Sequence, residues 1–322
     1  MAGSLHLFRG RNCVTPGAPQ DAARETPCAS PGDPPRVRHQ RFMLRLLKHP
    51  GPPADKRADC PAMSEIRASR PLSVRSQAAR KLVRRAVRAA LCTALPGLGP
   101  GSRAVADPDA DPLAGAPFGS LVTLATDQTG APVLLLSRLA EHTRNLTADP
   151  RAALLVIDSD TVHANPQEDA RVTLLGRIAP DPDPALRRRF LARHPYAEMY
   201  AGFADFAMHR MTVTRAHVVG GFGVAGWIED PETLLVPSDI ATALDAAEEA
   251  ACAHLTRTRA GDLTRIAGPG AWRVVALDAD GLDVVPDGPP DSGPALRLAF
   301  AQPVASVEDA DAALIALVAE DP

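Results

Sequence analysis

Residues 119–126 read Gly-Ser-Leu-Val-Thr-Leu-Ala-Thr, and the turn residues Asp127-Gln128-Thr129-Gly130 separate them from the apolar run Pro132–Ser137. Two apolar segments around a short polar turn predict antiparallel strands joined as a hairpin with a four-residue connection. Three more strands are predicted downstream, at 152–157, 171–178 and 206–219. Helices are predicted between them, at 141–148 and 184–193. So many strands with so few helices between them indicate a barrel rather than a doubly wound parallel sheet.

An amphipathic helix is predicted over residues 77–91, before the barrel. Its apolar face carries Leu82, Val83, Ala86, Val87, Ala90 and Leu91, and its polar face carries Lys81, Arg84, Arg85 and Arg88. A basic amphipathic helix can lie on a membrane surface, but we favour packing of the apolar face on the helix's own domain.

The chain after Trp227 predicts a small second module with the order α-β-β-β-α. A long alanine-rich helix is predicted at 239–255, with Ser238 or Asp239 as its N-cap. Three strands are predicted at 272–277, 282–285 and 295–300, and a closing helix at about 306–318.

The composition restricts the class of protein. The chain has 322 residues, enough for two domains, and 45% hydrophobic with 23% charged residues is a globular balance. No apolar run approaches the roughly 20 residues of a transmembrane helix, so no membrane span is expected. Five cysteines form no C-x-x-C pair, which argues against a disulfide framework and a zinc ribbon. We therefore expect a cytoplasmic protein.

Residues 1–74 contain 11 prolines and no sustained periodicity, so we predict a disordered extension there. The barrel then occupies residues 75–232 and the small module 236–322, and a start of translation at Met63 is a further hypothesis. Residues 1–95 hold 18 lysines and arginines against 6 aspartates and glutamates. A basic arm can contact nucleic acid or a membrane, but we favour a disordered extension and expect no nucleic-acid partner.

One glycine-rich motif, Gly221-Phe222-Gly223-Val224-Ala225-Gly226, matches the dinucleotide-binding pattern G-x-G-x-x-G and follows a predicted strand. That function needs a helix to begin at the motif, so that the helix N-terminus meets the pyrophosphate. Pro231 prevents an early helix, and no βαβ unit surrounds the motif. We reject nicotinamide binding on these grounds.

The densest polar cluster of the barrel is Ser137-Arg138-Leu139-Ala140-Glu141-His142-Thr143-Arg144-Asn145. It spans the end of a predicted strand and the start of a predicted helix, where hydroxyls, a guanidinium and free helix amides would suit a phosphate. A capped helix with solvated arginines is the alternative. The histidines show no metal-ligand spacing, so no metal site is predicted, and which histidine could ligate a heme iron stays open.

Five stretches taken together resemble a known family: 118–126, 134–146, 149–155, 171–177 and 219–223. The second of them reads Leu-Leu-Leu-Ser-Arg-Leu-Ala-Glu-His-Thr-Arg-Asn-Leu. They resemble the pyridoxamine 5′-phosphate oxidase-like, FMN-binding split-barrel superfamily, and above all its heme-utilisation (HugZ-type) branch. The resemblance covers about residues 77–230 and extends into the C-terminal module.

The resemblance implies an α+β protein with a six-stranded antiparallel split β-barrel of the FMN-binding type, followed by a small α/β module. It also implies a homodimer with a flavin-sized cleft between the subunits. The implied cofactor is FMN, with heme as the alternative. In flavin-binding relatives the phosphate lies where a strand ends and a helix begins, and strand backbone flanks the ring. The implied cofactor-binding residues here are Ser120, Val122, Ser137, Arg138, His142 and Thr143.

The sequence departs from the flavin-binding pattern at several charged positions. The flavin oxidases carry an arginine and a lysine where this chain has Gly119/Ser120 and Leu124, and Ser-Arg-Lys where it has Ala140-Glu141-His142. Losing charge-assisted phosphate bonds worth roughly 1.5–3 kcal/mol each would weaken FMN binding. In the C-terminal module, relatives show His-Met-Asn-x-Asp-His, of which only His254 is present.

The resulting expectation is a split-barrel protein that binds a flat redox cofactor, either as a flavin-dependent oxidoreductase or as a heme-utilisation or heme-degradation protein. No catalytic residue is predicted. The alternative is a non-enzymatic, cofactor-free binding or regulatory protein that keeps the split barrel.

Overall fold

The structure is a computed structural model that describes residues 73–97, 112–158, 163–220, 225–289 and 292–320. The predicted disorder of residues 1–74 falls outside these ranges except for its last two residues, and so do the first four residues of the glycine-rich motif. Among the described residues, every helix is too short or too polar to cross a membrane.

The first eight strands form one antiparallel sheet. They are β1 (Arg88–Ala94), β2 (Pro117–Thr123), β3 (Ala125–Thr126), β4 (Pro132–Ser137), β5 (Arg151–Ile157), β6 (Arg171–Pro180), β7 (Phe206–Val219) and β8 (Ala225–Ile228). The strand order is β2-β1-β5-β6-β7-β4-β3, with β8 paired to β7.

The sheet closes into a barrel because β2 and β3 are halves of one bent strand. Only Leu124 separates them, and its amide donates to the carbonyl of Val87 at 3.0 Å. β2 pairs with β1 while β3 pairs with β4, so the two ends of the sheet meet at this bend. Leu124 itself is fully buried in the barrel core. The predicted six-stranded split barrel is thereby confirmed.

The predicted hairpin between 119–126 and Pro132–Ser137 is present as β3 and β4. Thr126 pairs with Pro132, so the loop comprises residues 127–131. Gly130 has a φ of 98°, a left-handed conformation that glycine adopts without strain. The prediction of one continuous strand over 119–126 is wrong at Leu124, because the barrel needs a bend there to change pairing partner.

The helices of the barrel part are α1 (Val74–Arg85), α2 (Glu141–Ala148), α3 (Pro184–Arg193) and the short α4 (Glu198–Ala201). α1 begins after Ser73, whose hydroxyl accepts a bond from the amide of Ser76 at 3.1 Å. α3 begins after Asp183, which caps the amide of Ala185 at 2.9 Å.

The predicted helix over residues 77–91 is wrong in its second half. The helix ends at Arg85, Ala86 has the extended φ and ψ of −63° and 136°, and β1 begins at Arg88. Ala89 and Leu91 are buried while Arg88 is exposed, a period of two that suits a strand equally well. The strand prevails because β2 and β5 supply hydrogen bonds on both of its sides.

The C-terminal module contains the predicted elements and one more helix. Its helices are α5 (Ser238–Thr258), the unpredicted α6 (Ala260–Ala267) and α7 (Val307–Glu320), and its strands are β9 (Trp272–Asp278), β10 (Gly281–Pro286) and β11 (Leu296–Ala299). The sheet order is β11-β10-β9. The free edge of β9 is covered by α5, since Thr256 and Glu248 accept bonds from the amides of Val274 and Leu277. The division into residues 75–232 and 236–322 stays a prediction.

A group of buried charges joins the barrel to this module, and we call it the ion cluster. Its members are Arg80 and Arg84 on α1, Arg189 and Arg193 on α3, Arg297 on β11, Asp278, Asp280 and Asp283 around β9 and β10, and Glu248 on α5. Arg297 lies 2.6 Å from Asp278, and Arg80 lies 2.6 Å from Asp280. Arg84 was predicted on the solvent face of its helix, and it is instead 4% exposed because Asp278 and Asp280 face it.

The ion cluster keeps the Asp278 carboxylate ionised. Burial alone would raise the pKa of Asp278, but Arg297 and Arg84 hold that pKa well below its usual range. An isolated buried charge costs several kcal/mol, so each member depends on its partners. The cluster therefore fixes the module against α1 and α3.

We expect Asp278→Asn to lower the free energy of unfolding by about 3–5 kcal/mol, because it leaves Arg84 and Arg297 buried without their carboxylate. Urea denaturation measures the loss. The matched control is Glu141→Gln, which breaks an exposed pair with Arg144 at 3.2 Å and should leave stability nearly unchanged. Equal effects of the two variants would contradict a structural role for the cluster.

Candidate functional site

The predicted site lies where β4 ends and α2 begins. β4 ends at Ser137 and α2 begins at Glu141, as the sequence predicted. The N-cap residue of α2 is Ala140, which has no side chain that can bond the first amides. The segment before β7 lies alongside this junction, because Ser137 pairs with Phe206.

Ser137 and Arg138 are both bound to the segment before β7. The Ser137 hydroxyl donates to Asp205 Oδ2 at 2.6 Å, and it accepts a bond from the amide of Leu139 at 3.1 Å. Arg138 donates from its amide to the Asp205 carbonyl at 2.7 Å and from Nη2 to the Ala204 carbonyl at 3.0 Å. Ser137 and Arg138, two of the expected phosphate ligands, therefore already have protein partners.

The charges at the junction suit a phosphate poorly. Asp205 accepts a bond from Ser137 and Glu141 is paired with Arg144, so Arg138 is the cation that remains beside these two carboxylates. Leu124 stands where flavin-binding relatives have a lysine, and it is fully buried in the barrel core. A phosphate would meet repulsion from the carboxylates and would compete with bonds that Ser137 and Arg138 make within the protein. The partners of Ser137 and Arg138 therefore disfavour the phosphate of FMN at this junction.

His142 is held beside Ser120 on the neighbouring strand β2. Its Nδ1 lies 3.2 Å from Ser120 Oγ, and no residue in the described ranges bonds its Nε2. Burial lowers the pKa of His142, and the charge that His209 can carry lowers it further. His142 is therefore a neutral imidazole at neutral pH, half-buried and with one nitrogen open. This is the state in which histidine binds a metal or accepts a proton.

His209 adds a second imidazole that sequence reasoning missed. It lies on β7 and is 4% exposed, and its Nδ1 lies 3.0 Å from the Ala207 carbonyl. Burial lowers its pKa as well. Positions 209, 211 and 213 of β7 point inward and are all buried. The alternation of inward and outward side chains along a strand could therefore have identified His209 as a buried histidine.

Thr143 and Val122, the remaining residues predicted to bind a cofactor, are both buried. Thr143 is buried, and within the described part of the chain its Oγ1 has no hydrogen-bond partner. Nearby on α2, the Asn145 amide nitrogen donates to Thr93 Oγ1 at 2.9 Å, while its Oδ1 also lacks a partner there. The Val122 side chain packs in the barrel core, so only the backbone of Val122 could face a ligand.

Two other described histidines, His194 and His163, have partners outside this junction. His194 is buried with Nε2 2.9 Å from the Leu124 carbonyl and Nδ1 3.4 Å from the Tyr196 hydroxyl, and burial lowers its pKa to about 4. His163 lies 2.9 Å from Asp169 near the surface. No group of three or more metal-binding side chains occurs among the described residues.

The outer face of the barrel exposes an apolar area across β2, β1 and β5, which we call the outer barrel face. Its residues are Ala90, Cys92, Leu121, Ala153, Leu155 and Ile157. Leu121 is 75% exposed and Ile157 is 49% exposed, and Ala90 pairs with both Leu121 and Leu155. A contiguous apolar area of this kind on a sheet usually marks an interface.

Comparisons with known proteins agree with this fold. The family model described as CREG, beta-barrel matches residues 72–234. A chloroplastic protein of Arabidopsis thaliana, named non-canonical heme oxygenase HOZ, is 35% identical over 117 residues, which are 34% of this chain and 34% of that protein. The chain thus matches about a third of the length of this relative.

Two solved structures are similar to this chain, and the first shares its fold beyond the barrel. A protein of unknown function from Agrobacterium tumefaciens has 23% identity and a TM-score of 0.56, with 78% of this chain and 98% of that chain covered. A heme-binding protein from Mycobacterium smegmatis has 26% identity and a TM-score of 0.43, with 79% and 99% covered.

We expect the His142 imidazole to titrate below the usual pKa of about 6.5. NMR of the ring protons measures this. In His209→Gln the pKa should rise but stay below 6.5, because the charge of His209 is lost while burial remains. His163→Gln is the matched control and should leave the pKa of His142 unchanged. Titration of His142 at or above 6.5 would contradict a neutral imidazole at this site.

Proposed function

This chain belongs to the CREG β-barrel family, within the FMN-binding split-barrel superfamily, and from that premise we propose that it binds heme at the junction of β4 and α2. The observation that carries the proposal is the chemistry of the junction. A neutral His142 with an open Nε2 suits iron, whereas the bonds of Ser137 and Arg138 to residues 204–205 disfavour the phosphate of FMN. The relative named heme oxygenase supports the same choice.

In this proposal His142 binds the iron through Nε2. Ser120 orients the ring through its contact with Nδ1, which is the usual task of an outer partner of a metal-binding histidine. Arg138 is exposed, and the guanidinium N–H groups that do not bond Ala204 can pair with a heme propionate, which carries less charge than a phosphate. When bound, heme supplies a redox-active iron and a conjugated ring system.

We further propose that the protein acts as an oxidoreductase that degrades heme, with molecular oxygen as the oxidant of the porphyrin and an external reductant as the source of electrons. The same contacts also suit a protein that binds heme without turnover, which is the second candidate function. A cytoplasmic location stays a prediction.

We also propose that the protein is a homodimer that pairs through the outer barrel face. Leu121 and Ile157 are large apolar side chains exposed on adjacent parts of one sheet. Their burial against a second copy would remove apolar surface from water, at about 25 cal/mol per Å².

We expect the purified full chain to shift and sharpen the Soret band of added hemin and to leave the absorption spectrum of added FMN unchanged. His142→Ala should weaken hemin binding by more than about tenfold, since even outer partners of a metal ligand contribute that much. Absorption titrations measure both. His163→Ala removes a histidine outside the site and should bind hemin like the wild type.

A protein that is isolated with bound FMN, or hemin binding that is equal in His142→Ala and the wild type, would refute the heme site. Turnover is measured separately, by loss of the Soret band and release of iron with ascorbate and oxygen. Heme that stays intact under these conditions would exclude degradation with ascorbate, while the proposal that the protein binds heme would still stand.

We expect Leu121→Asp to convert a dimer into a monomer, because it places a charge at the most exposed apolar residue of the outer barrel face. Light scattering after size-exclusion chromatography measures the mass. Met199→Asp is the matched control, since Met199 is 79% exposed elsewhere on the surface. A wild-type chain that is monomeric would contradict the proposed dimer.

A further inference from the structure

A second cleft lies between α3 and the C-terminal module, away from the junction of β4 and α2. Its volume is about 740 Å³, within the range of small-molecule sites. α3 contributes one wall, α5 contributes another, and β9 and β10 contribute the third. The cleft shares no residue with the proposed heme site.

The interior of this cleft is largely apolar. Leu191 and Ala192 of α3 face Cys252 of α5 and Val274 and Val285 of the sheet. Burial raises the pKa of the Cys252 thiol to about 12, so this side chain stays protonated and behaves as an apolar group. An apolar body of a ligand would therefore be shielded from water here.

Two arginines lie at one end of the cleft. The Val274 amide donates to Thr256 Oγ1 at 3.0 Å, and this contact brings the neighbouring residues Arg257 and Arg273 to the same end. Arg273 has a partly exposed partner, Asp287, at 3.3 Å. Arg257 makes no ion pair with any residue in the described ranges, so a guanidinium is available for an anion.

The charge differs at the other end. Glu249 precedes Arg257 by eight residues on α5, which corresponds to about 12 Å along a helix. Glu198 of α4 also lines the cleft, and Glu248 is paired with Arg188 and Arg189. Free carboxylates here would repel a second acidic group on a ligand.

We propose that this cleft binds a small apolar monocarboxylate, with its acid group at Arg257 and Arg273 and its apolar body along Leu191 and Val285. The cation at one end and the carboxylates at the other give the site a direction. Arg188 also lines the cleft but is paired with Asp245 and Glu248, so Glu249 should make a dicarboxylate bind more weakly than a monocarboxylate. The site is independent of heme.

Decanoate is the probe, titrated into the full chain by calorimetry. We expect saturable binding of one decanoate per chain, weakened about tenfold or more in the double variant Arg257→Gln/Arg273→Gln through the loss of charge-assisted bonds. Ala253→Trp fills the cleft from the exposed face of α5 and should abolish binding. Ala243→Trp is the matched control, exposed on the same helix outside the cleft, and should bind like the wild type.

Three results would overturn the proposal: no decanoate binding, binding that Ala253→Trp leaves unchanged, or equal binding of decylamine. Hemin titration of the same variants separates the two sites. His142→Ala should lose hemin binding and keep decanoate binding, whereas Ala253→Trp should lose decanoate binding and keep hemin binding. A failure of the heme proposal therefore leaves the decanoate test unaffected, and a failure of the cleft proposal leaves the hemin test unaffected.

Discussion

The ion cluster is the interaction on which the rest of the structure depends. It places charges from both ends of the described chain in one buried volume, where each is tolerated only beside its partners. Arg84 shows how far its influence extends. Besides Asp278 and Asp280, this guanidinium donates to the carbonyls of Asp127 and Gln128 at 2.6 and 2.7 Å. The cluster thereby holds the hairpin loop that leads into β4, and β4 ends at the candidate site.

The candidate site combines features that point in one chemical direction. Burial favours the neutral form of His142 and His209, and the carboxylates of Asp205 and Glu141 offset the charges of Arg138 and Arg144 at the strand end. A phosphate requires concentrated positive charge, whereas a metal-binding imidazole requires only a free nitrogen and a fixed ring. The same barrel can thus serve a different cofactor after a few changes of charge.

The sequence was sufficient to predict those helices and strands whose hydrophobic pattern fits only one kind of secondary structure. β4 is apolar throughout and α2 lies between clear breakers, so both were predicted with their junction. Residues 86–91 fit two periods at once, and only pairing with β2 and β5 selects a strand. The position of the predicted site followed from this local pattern. The partner of Ser137 did not, because Asp205 lies 68 residues away along the chain. The burial of Arg80 and Arg84 was hidden for the same reason.

The long sequence separation within the ion cluster also bears on how the protein is made. Arg80 bonds Asp280, 200 residues later, and Arg297 completes the cluster from the last strand. A ribosome adds about 5–20 residues each second, so the first helix emerges many seconds before its counter-charges exist. Its arginines must remain in water during that time. The docking of α1 on the C-terminal module therefore cannot be completed before Arg297 has been synthesised.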